Sequence, residues 1–291
     1  MKKIIALFLT ILTLACFTSC GEPSKLIYMQ KYGKEVSFEQ ACEWYDEVSA
    51  RNQADYNLKW YELDLLLTQE YDYDYESGKS KIEINGTFLN TSDLSKFICK
   101  MSLNMEETIK VESGGVISTE SATVKMDIVC INNWMYVDAT ASASSQEGDK
   151  NANYSESVKV KASLANQTLL NDVFTYTTLF SADILDELFQ PENAPAEDEY
   201  VLFYTSTNYL GVHTSGTDDE MRLTYSQYFE FDENSTLIIE SGLREGMRLN
   251  DGSEKMTIEA TYKICEEVEI LEPADKDDYE LGEIPDMGFE I

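Results

Sequence analysis

The chain has 291 residues, 54 of them acidic and 22 basic, for a formal net charge of −32 with 43% hydrophobic content. So acidic a surface repels nucleic acid and anionic headgroups, which need Lys or Arg to displace their counterions, and this excludes nucleic-acid binding. The 18 Tyr, 12 Phe and many β-branched residues exclude a disordered chain and can supply a real core.

Lys2 and Lys3 precede an apolar run, Ile4 to Phe17, interrupted only by Thr10 and Thr13. The run is short of the ~20 apolar residues that span a bilayer, and it reads as a secretory signal. Its ending, Phe17-Thr18-Ser19-Cys20-Gly21, resembles the lipobox of bacterial lipoproteins, with Phe17 where Leu is usual. That resemblance implies cleavage after residue 19 and a diacylglycerol on Cys20. Cys16 is the competing acceptor, and an ordinary signal peptide cleaved near Ala15 is the other reading. Two acyl chains, each contributing about 0.8 kcal/mol per buried methylene, suffice for stable anchoring. The expected location is therefore extracytoplasmic, tethered to a bacterial membrane at the cell envelope.

Removing residues 1–19 leaves 272, and losing Lys2 and Lys3 takes the net charge from −32 to −34. Residues 20–36 are polar and without period, and are expected to form a tether. The single β-rich domain is expected over 37–272, and 273–291 as an acidic mobile tail. Ser37 with Gln40 three positions on predicts a capping box. Phe38, Cys42, Tyr45 and Val48 share one face of the helix that follows, which makes Cys42 a packed core thiol.

After Asn57 the period falls to two. Tyr61, Leu63, Leu65, Leu67, Tyr71, Tyr73 and Tyr75 alternate with polar residues; Trp60 and Leu66 are the exceptions. A turn at Ser77-Gly78 predicts Tyr73 opposite Ile82 and Leu67 opposite Phe88. A turn at Gly114-Gly115 predicts Met105 opposite Val124, Leu103 opposite Met126, Met101 opposite Ile128 and Cys99 opposite Cys130. Directly opposed strand residues lie about 4.5–5.5 Å apart at Cα, within disulfide range, so Cys99–Cys130 is either a bridge or a pair of core thiols. Trp134, Tyr136 and Val137 end the third strand of this set. Ala139 to Ser155 reads as a loop or a solvated hairpin end, and Val158 to Leu164 as a fourth strand.

From Thr168 to Phe189 the period is helical again, with Ser181 as a cap and Pro191 and Pro195 as stops. Four more strands are expected, over Val201–Val212, Leu223–Phe231, Leu237–Leu249 and Met256–Ile270. An Asp251-Gly252 turn predicts Met247 opposite Met256, Leu243 opposite Ala260 and Ile239 opposite Ile264.

Little in this chain is arranged for chemistry. His213 is the sole histidine; it follows a strand, with Gly211 and Gly216 nearby suggesting a hairpin turn and a solvated ring. One histidine and dispersed cysteines give no zinc spacing, and no Gly-rich phosphate loop follows a strand, so no metal, cofactor or catalytic residue is expected. Asp72, Asp74, Glu76 and Glu83 match the spacing of a calcium loop, but Ser77 stands where its sharp turn needs Gly, and strand alternation explains the stretch better.

The element order, with the Ser37–Val48 helix, the strand meander, Phe229-Glu230-Phe231-Asp232, Ser241-Gly242-Leu243 and Glu267 to Pro273, resembles the lipoprotein-carrier superfamily of bacterial envelopes. The resemblance implies an α+β, mostly β fold: a curved antiparallel sheet, half-open as a barrel, with the N-terminal helix and the central helical segment against its concave face. It also implies a non-enzymatic lipoprotein that binds a lipid or other hydrophobic ligand in a cavity lined by Leu65, Leu67, Phe88, Met101, Met105, Met126 and Ile239. The alternative is a surface interaction or scaffold lipoprotein with a packed core, whose acidic exterior meets a basic protein partner.

Overall fold

In the computed structural model, residues 33–51, 59–90, 96–113, 115–148, 150–164, 189, 194–195, 200–217, 221–232, 237–248 and 252–282 are described, with the backbone alone at 49–51, 90, 217, 221–223, 225, 237–244 and 247–248. Alternation of apolar and polar residues makes most of this chain strand. A short β1 (Lys34–Val36) precedes helix α1 (Phe38–Arg51). Six long strands follow: β2 (Lys59–Tyr73), β3 (Glu76–Asn90), β4 (Cys99–Ser113), β5 (Val116–Ile131), β6 (Trp134–Glu147) and β7 (Lys150–Ser163). The second half contributes β8 (Tyr200–Thr205), β9 (Tyr209–Thr217), β10 (Met221–Phe231), β11 (Leu237–Arg248) and β12 (Gly252–Cys265), and β13 (Glu280–Leu281) ends the described chain.

Among the described residues, all 13 strands form one curved sheet in the order β1-β8-β9-β10-β11-β12-β2-β3-β4-β5-β6-β7-β13. Its two outer strands do not pair with one another, so the sheet stays open. Every neighbouring pair is antiparallel except β13 on β7. The protein is thus mostly β, as its periodicity predicts. The central helical segment expected over 168–189 lies outside the described residues apart from Phe189.

The helix start follows its cap. Gln40 donates its backbone N–H to Ser37 Oγ at 3.3 Å, and Ser37 donates its own to Gln40 Oε1 at 3.1 Å, the reciprocal arrangement of a capping box. The buried stripe is Ala41, Tyr45 and Val48, with Phe38, Cys42 and Trp44 packed at its flanks. Trp44 Nε1 donates to the Ser206 carbonyl at 2.9 Å, fixing the helix to the turn between β8 and β9.

Two turns escape the sequence reading. Asn132 and Asn133 take φ of 53° and 65°, the left-handed pair that a tight hairpin turn needs, and split one expected strand into β5 and β6. Residues 206–208 likewise divide Val201–Val212 into β8 and β9. The Ala- and Ser-rich stretch 139–155 is strand on both sides of a turn at Gly148. Ala139 and Ala141 are buried while Thr140 and Ser142 face outward, so small residues still keep the alternation.

The register of β4 on β5 is as expected, with Cys99 opposite Cys130 and Leu103 opposite Met126. That of β2 on β3 differs by three residues on each strand. The turn is Asp74-Tyr75, which sets Leu67 opposite Ile82 and Tyr61 opposite Phe88. The combined offset is even, so every side chain keeps its face. Between β11 and β12 the offset is odd. Ile239 opposes Thr261 rather than Ile264, and Leu243 opposes Thr257.

The C-terminal stretch corrects a further expectation. Beyond β12 the chain leaves the sheet, so the final expected strand stops at Cys265, and a single turn of 3-10 helix forms at Lys276–Asp278. The described part of the stretch then crosses the polar face as a docked strap through residue 282, and residues 283–291, the remainder of the expected mobile tail, lie outside the described residues. Tyr279 is buried edge-on against Tyr136, with ring centroids 5.4 Å apart. Lys159 pairs with Asp275, Asn132 donates to Glu272 at 3.2 Å, and β13 pairs with Val160 and Lys161. The tether also ends sooner than expected, because residues 34–36 already pair with β8.

The Lys159 ammonium holds the Asp275 carboxyl below its ordinary range. A carboxyl whose folded pKa lies below its unfolded value stabilises docking above that unfolded value, and loses the contribution as pH falls through the folded one. Limited proteolysis is therefore expected to spare residues 273–282 at neutral pH and cut there in acid. Tyr279→Ala is expected to open the same sites at neutral pH, with little change in the global unfolding midpoint.

Candidate functional site

The face expected to carry function is the apolar one. Tyr61, Leu63, Leu65 and Leu67 of β2 meet Ile82 and Phe88 of β3, Cys99 to Met105 of β4, and Val124 to Cys130 of β5 in one cluster. It extends through Met135, Val137, Ala139 and Ala141 of β6 to Ala162, and on the other side to Ala260 and Tyr262 of β12. A second cluster joins α1 to Phe203, Leu210, Phe229 and Phe231. Register puts Leu210 opposite Phe229, Phe229 opposite Glu240, Glu240 opposite Ala260, and Ala260 opposite Leu65. Both clusters therefore occupy one face of the sheet, and α1 packs against that face at its β8–β10 end.

Six of the seven expected lining residues come together there: Leu65, Leu67, Phe88, Met101, Met105 and Met126. Ile239 does not belong with them. Its partner Thr261 opposes Asp64, so its backbone position falls in the alternate row; its side chain is outside the described residues. The six are buried, from 2% exposed at Leu67 to 8% at Leu65 and Met126. Side chains walling a void wide enough for a lipid chain would remain reachable by water. These are packed.

Cys99 and Cys130 sit opposite each other in this face, both fully buried, and both are free thiols in this structure. Burial first, and then a hydrogen bond shared with Cys99, push the Cys130 thiol well above its ordinary range. Such thiols are poor nucleophiles, because the thiolate that would react is the disfavoured form. Glu107 lies at the turn-bearing end of the same face, and burial raises its carboxyl pKa. For a carboxyl raised on folding, stability is complete below the unfolded pKa and declines as pH climbs from there to the folded one. Glu107→Gln should therefore raise the melting temperature at pH 7, by about 2 °C, and leave it unchanged at pH 3.

His213 is not in a turn but within β9, half-buried, with Nδ1 2.7 Å from Ser226 Oγ on β10. Burial lowers its pKa, so the ring is neutral near pH 7. The pair looks like two thirds of a nucleophilic triad, yet Ser226 is 5% exposed, out of reach of a carbonyl substrate. The carboxylates that match calcium-loop spacing are dispersed over a hairpin, in keeping with the strand reading of the stretch: Asp72 on β2, Asp74 in the turn, Glu76 and Glu83 on β3. Glu83 is instead paired with Lys81 at 2.6 Å. Among the described residues no group of three or more His, Cys, Asp or Glu is placed to hold a metal, and no helix is long and apolar enough to cross a membrane. Cys20 lies outside the described residues.

The opposite face is polar. Along β2 to β7 its rows mix Asp, Glu, Lys, Ser and Thr, and it holds a concavity of about 460 Å³ near the Asp74-Tyr75 turn. Nothing in the sequence pattern marks this hollow, because it arises from three strands and the start of a fourth brought side by side.

No protein-family model matches the chain, and no curated protein matches it. Among solved structures, the translocator domain of the autotransporter NalP from Neisseria meningitidis aligns at 8% identity and a TM-score of 0.20, covering 78% of this chain and 98% of that one. A porin-like protein from Bacteroides uniformis aligns at 8% identity and 0.16, covering 69% and 95%. A DUF1329 family protein from Desulfovibrio piger aligns at 8% and 0.16, covering 80% and 96%. At such scores these likenesses carry no argument about fold or function.

Proposed function

We propose that this chain is a lipid-anchored, extracytoplasmic, non-enzymatic interaction protein of a bacterial envelope, whose apolar face is a packed core rather than a ligand cavity. The anchor reading rests on the signal run and on Cys20 with its small neighbours. The packed-core reading rests on one observation, the 2–8% exposure of Leu65, Leu67, Phe88, Met101, Met105 and Met126. Ligand pockets for small molecules occupy about 300–1,000 Å³, and a face closed to water has no such room. The partner-facing surface is then the polar one.

Orientation supports the same reading. Lys34 of β1 opposes Thr205, which by register lies level with Leu210, Phe229, Ala260 and Leu65. β1 also runs in the same direction as β2. The described chain thus enters the sheet from the end away from the Asp74-Tyr75, Gly115 and Gly148 turns. A tether leading from residue 20 presents those turns outward.

Solvent extraction of the purified protein followed by mass spectrometry should find no stoichiometric lipid, and lysolipid should leave the melting temperature unmoved. A one-to-one bound lipid would return the case to the hydrophobic-ligand reading, which the soft Met101, Met105 and Met126 row otherwise favours. Cys20→Ala is expected to move the protein from the membrane fraction to the soluble one. Oxidation in an extracytoplasmic compartment is expected to close the Cys99–Cys130 bridge. Of the four cysteines Cys42, Cys99, Cys130 and Cys265, two should then titrate as thiols in denaturant without reductant. Four would reject the bridge.

A further inference from the structure

We propose that the open edge of β7 pairs with the same edge of a second copy of this chain, antiparallel and centred on Asn153. The inference goes beyond the reading above by adding a sheet edge to the polar face as an interaction surface. Among the described residues, β7 meets β6 along its whole length on one side but meets β13 only at Val160 and Lys161 on the other. Residues 150–159 are thereby left as an edge with neither proline nor bulge. Such an edge presents a row of unpaired backbone groups, a template for another strand. β13 already uses its far end in this way.

The direction of those groups is fixed. Gly282 donates its N–H to the Lys161 carbonyl at 3.3 Å, so the backbone groups of Lys161 point out of the sheet edge. Alternation points those of Asn151, Asn153, Ser155, Ser157 and Lys159 the same way. With Asn153 on the two-fold axis, Asn151 opposes Ser155 of the second copy and Asn153 opposes its own counterpart. Both are pairs that exchange two hydrogen bonds, giving about six across the junction.

Side chains select this register. Ala152 opposes Tyr154 and Lys150 opposes Glu156, each twice across the axis and on a shared face. Tyr154 is 56% exposed and its hydroxyl donates to Glu156, which positions the ring to cover Ala152 of the second copy. Centring the pair on Tyr154 would set Lys150 against Val158 and Glu156 against Ala152, leaving both charges unmatched. Centring it on Ser155 would set Lys150 against Val160, the place that Glu280 occupies. β7 holds three Lys and one Glu in a chain of net charge −32, so two copies repel each other less here than along their acidic remainder.

A contact this short falls below the ~1,600 Å² of a standard interface. It is therefore weak between single molecules and gains from many copies on one surface. On the anchored reading, antiparallel pairing sends the two tethers to opposite ends, so it joins copies on facing membranes rather than neighbours on one. That consequence alone rests on the anchor.

Oxidative cross-linking of the soluble Cys20→Ala chain tests the pairing. Over the rate of the otherwise unsubstituted chain, Asn153→Cys is expected to form a covalent dimer at least tenfold faster than Tyr154→Cys, Ser155→Cys or Ser157→Cys. Opposed Cα atoms about 5.5 Å apart lie within disulfide range, and those of the other three positions do not face their counterparts. In the Asn153→Cys background, Glu156→Lys should slow the reaction tenfold, and adding Lys150→Glu should restore it. Ser155→Pro removes an N–H that points outward and serves no bond to β6, so it should abolish cross-linking with the melting temperature little changed. Equal rates at all four positions, faster closure at Tyr154→Cys or Ser155→Cys, or no response to the charge reversal would overturn the proposal. Soluble protein carries the test, so loss of the anchor cannot mimic a failure, and a monomer would leave membrane attachment untouched.

Discussion

Gly86→Ala is expected to destabilise the protein by about 3 kcal/mol, the upper part of the range for overpacking a tight core. Gly86 stands on β3 between Leu63 of β2 and Met101 of β4. A Cβ there would meet the Lys100 carbonyl oxygen and lie 2.7 Å from Met101 Cα and 2.8 Å from Met101 Cγ. Two of those three atoms are backbone. The side chain can move aside; the β4 main chain can do so only by breaking its ladder to β3. Met101→Ala should therefore fail to rescue Gly86→Ala, and the double variant should be no more stable than the single one. Urea unfolding measures this through the midpoint at constant slope. Full rescue by Met101→Ala would mean that the crowding is between side chains alone.

Leu63→Ala is expected to cost a similar amount, about 3–4 kcal/mol, by the opposite mechanism. Leu63 is 1% exposed and lies directly across from Gly86 on one side and Tyr262 on the other. Gly86 has no side chain to swing into the vacated space, and Tyr262 belongs to a strand paired along its whole length with β2. The hole stays largely unfilled, which is the condition for a large cavity penalty. Leu66→Ala, on the polar face of the same strand, should cost much less. A small loss at Leu63 would indicate that the apolar face is loosely packed, and would weaken the packed-core reading with it.

Faces were far more legible than partners. Period-two alternation names the inward residues of β2 to β7 with no knowledge of register, because any even offset returns each side chain to the same side. That is why Leu65, Leu67, Phe88, Met101, Met105 and Met126 meet even though Leu67 opposes Ile82 instead of Phe88. Ser77-Gly78 looked like the turn because glycine ordinarily marks one. Here Gly78 is inside β3 and makes room for the Tyr71 ring, a role that depends on a neighbour no local pattern can supply. Ile239 was lost to an odd offset at the other hairpin, where Gly252, at φ of 141°, begins β12 instead of ending the turn. The Asn132-Asn133 turn is legible in residue type, since asparagine tolerates positive φ.

Local chemistry alone determined the helix cap, the strand periods and the opposed Cys99 and Cys130. Each depends on neighbours in the chain or on a single hairpin. Tertiary structure decided the rest: that α1 packs at one end of the apolar face, that residues 272–279 are strapped over Lys159 and Tyr136, and that Ser253, Asp72, Ser77 and Lys110 share one hollow. These depend on which strands lie side by side, and that choice minimises exposed apolar area over the whole sheet rather than within any window of sequence.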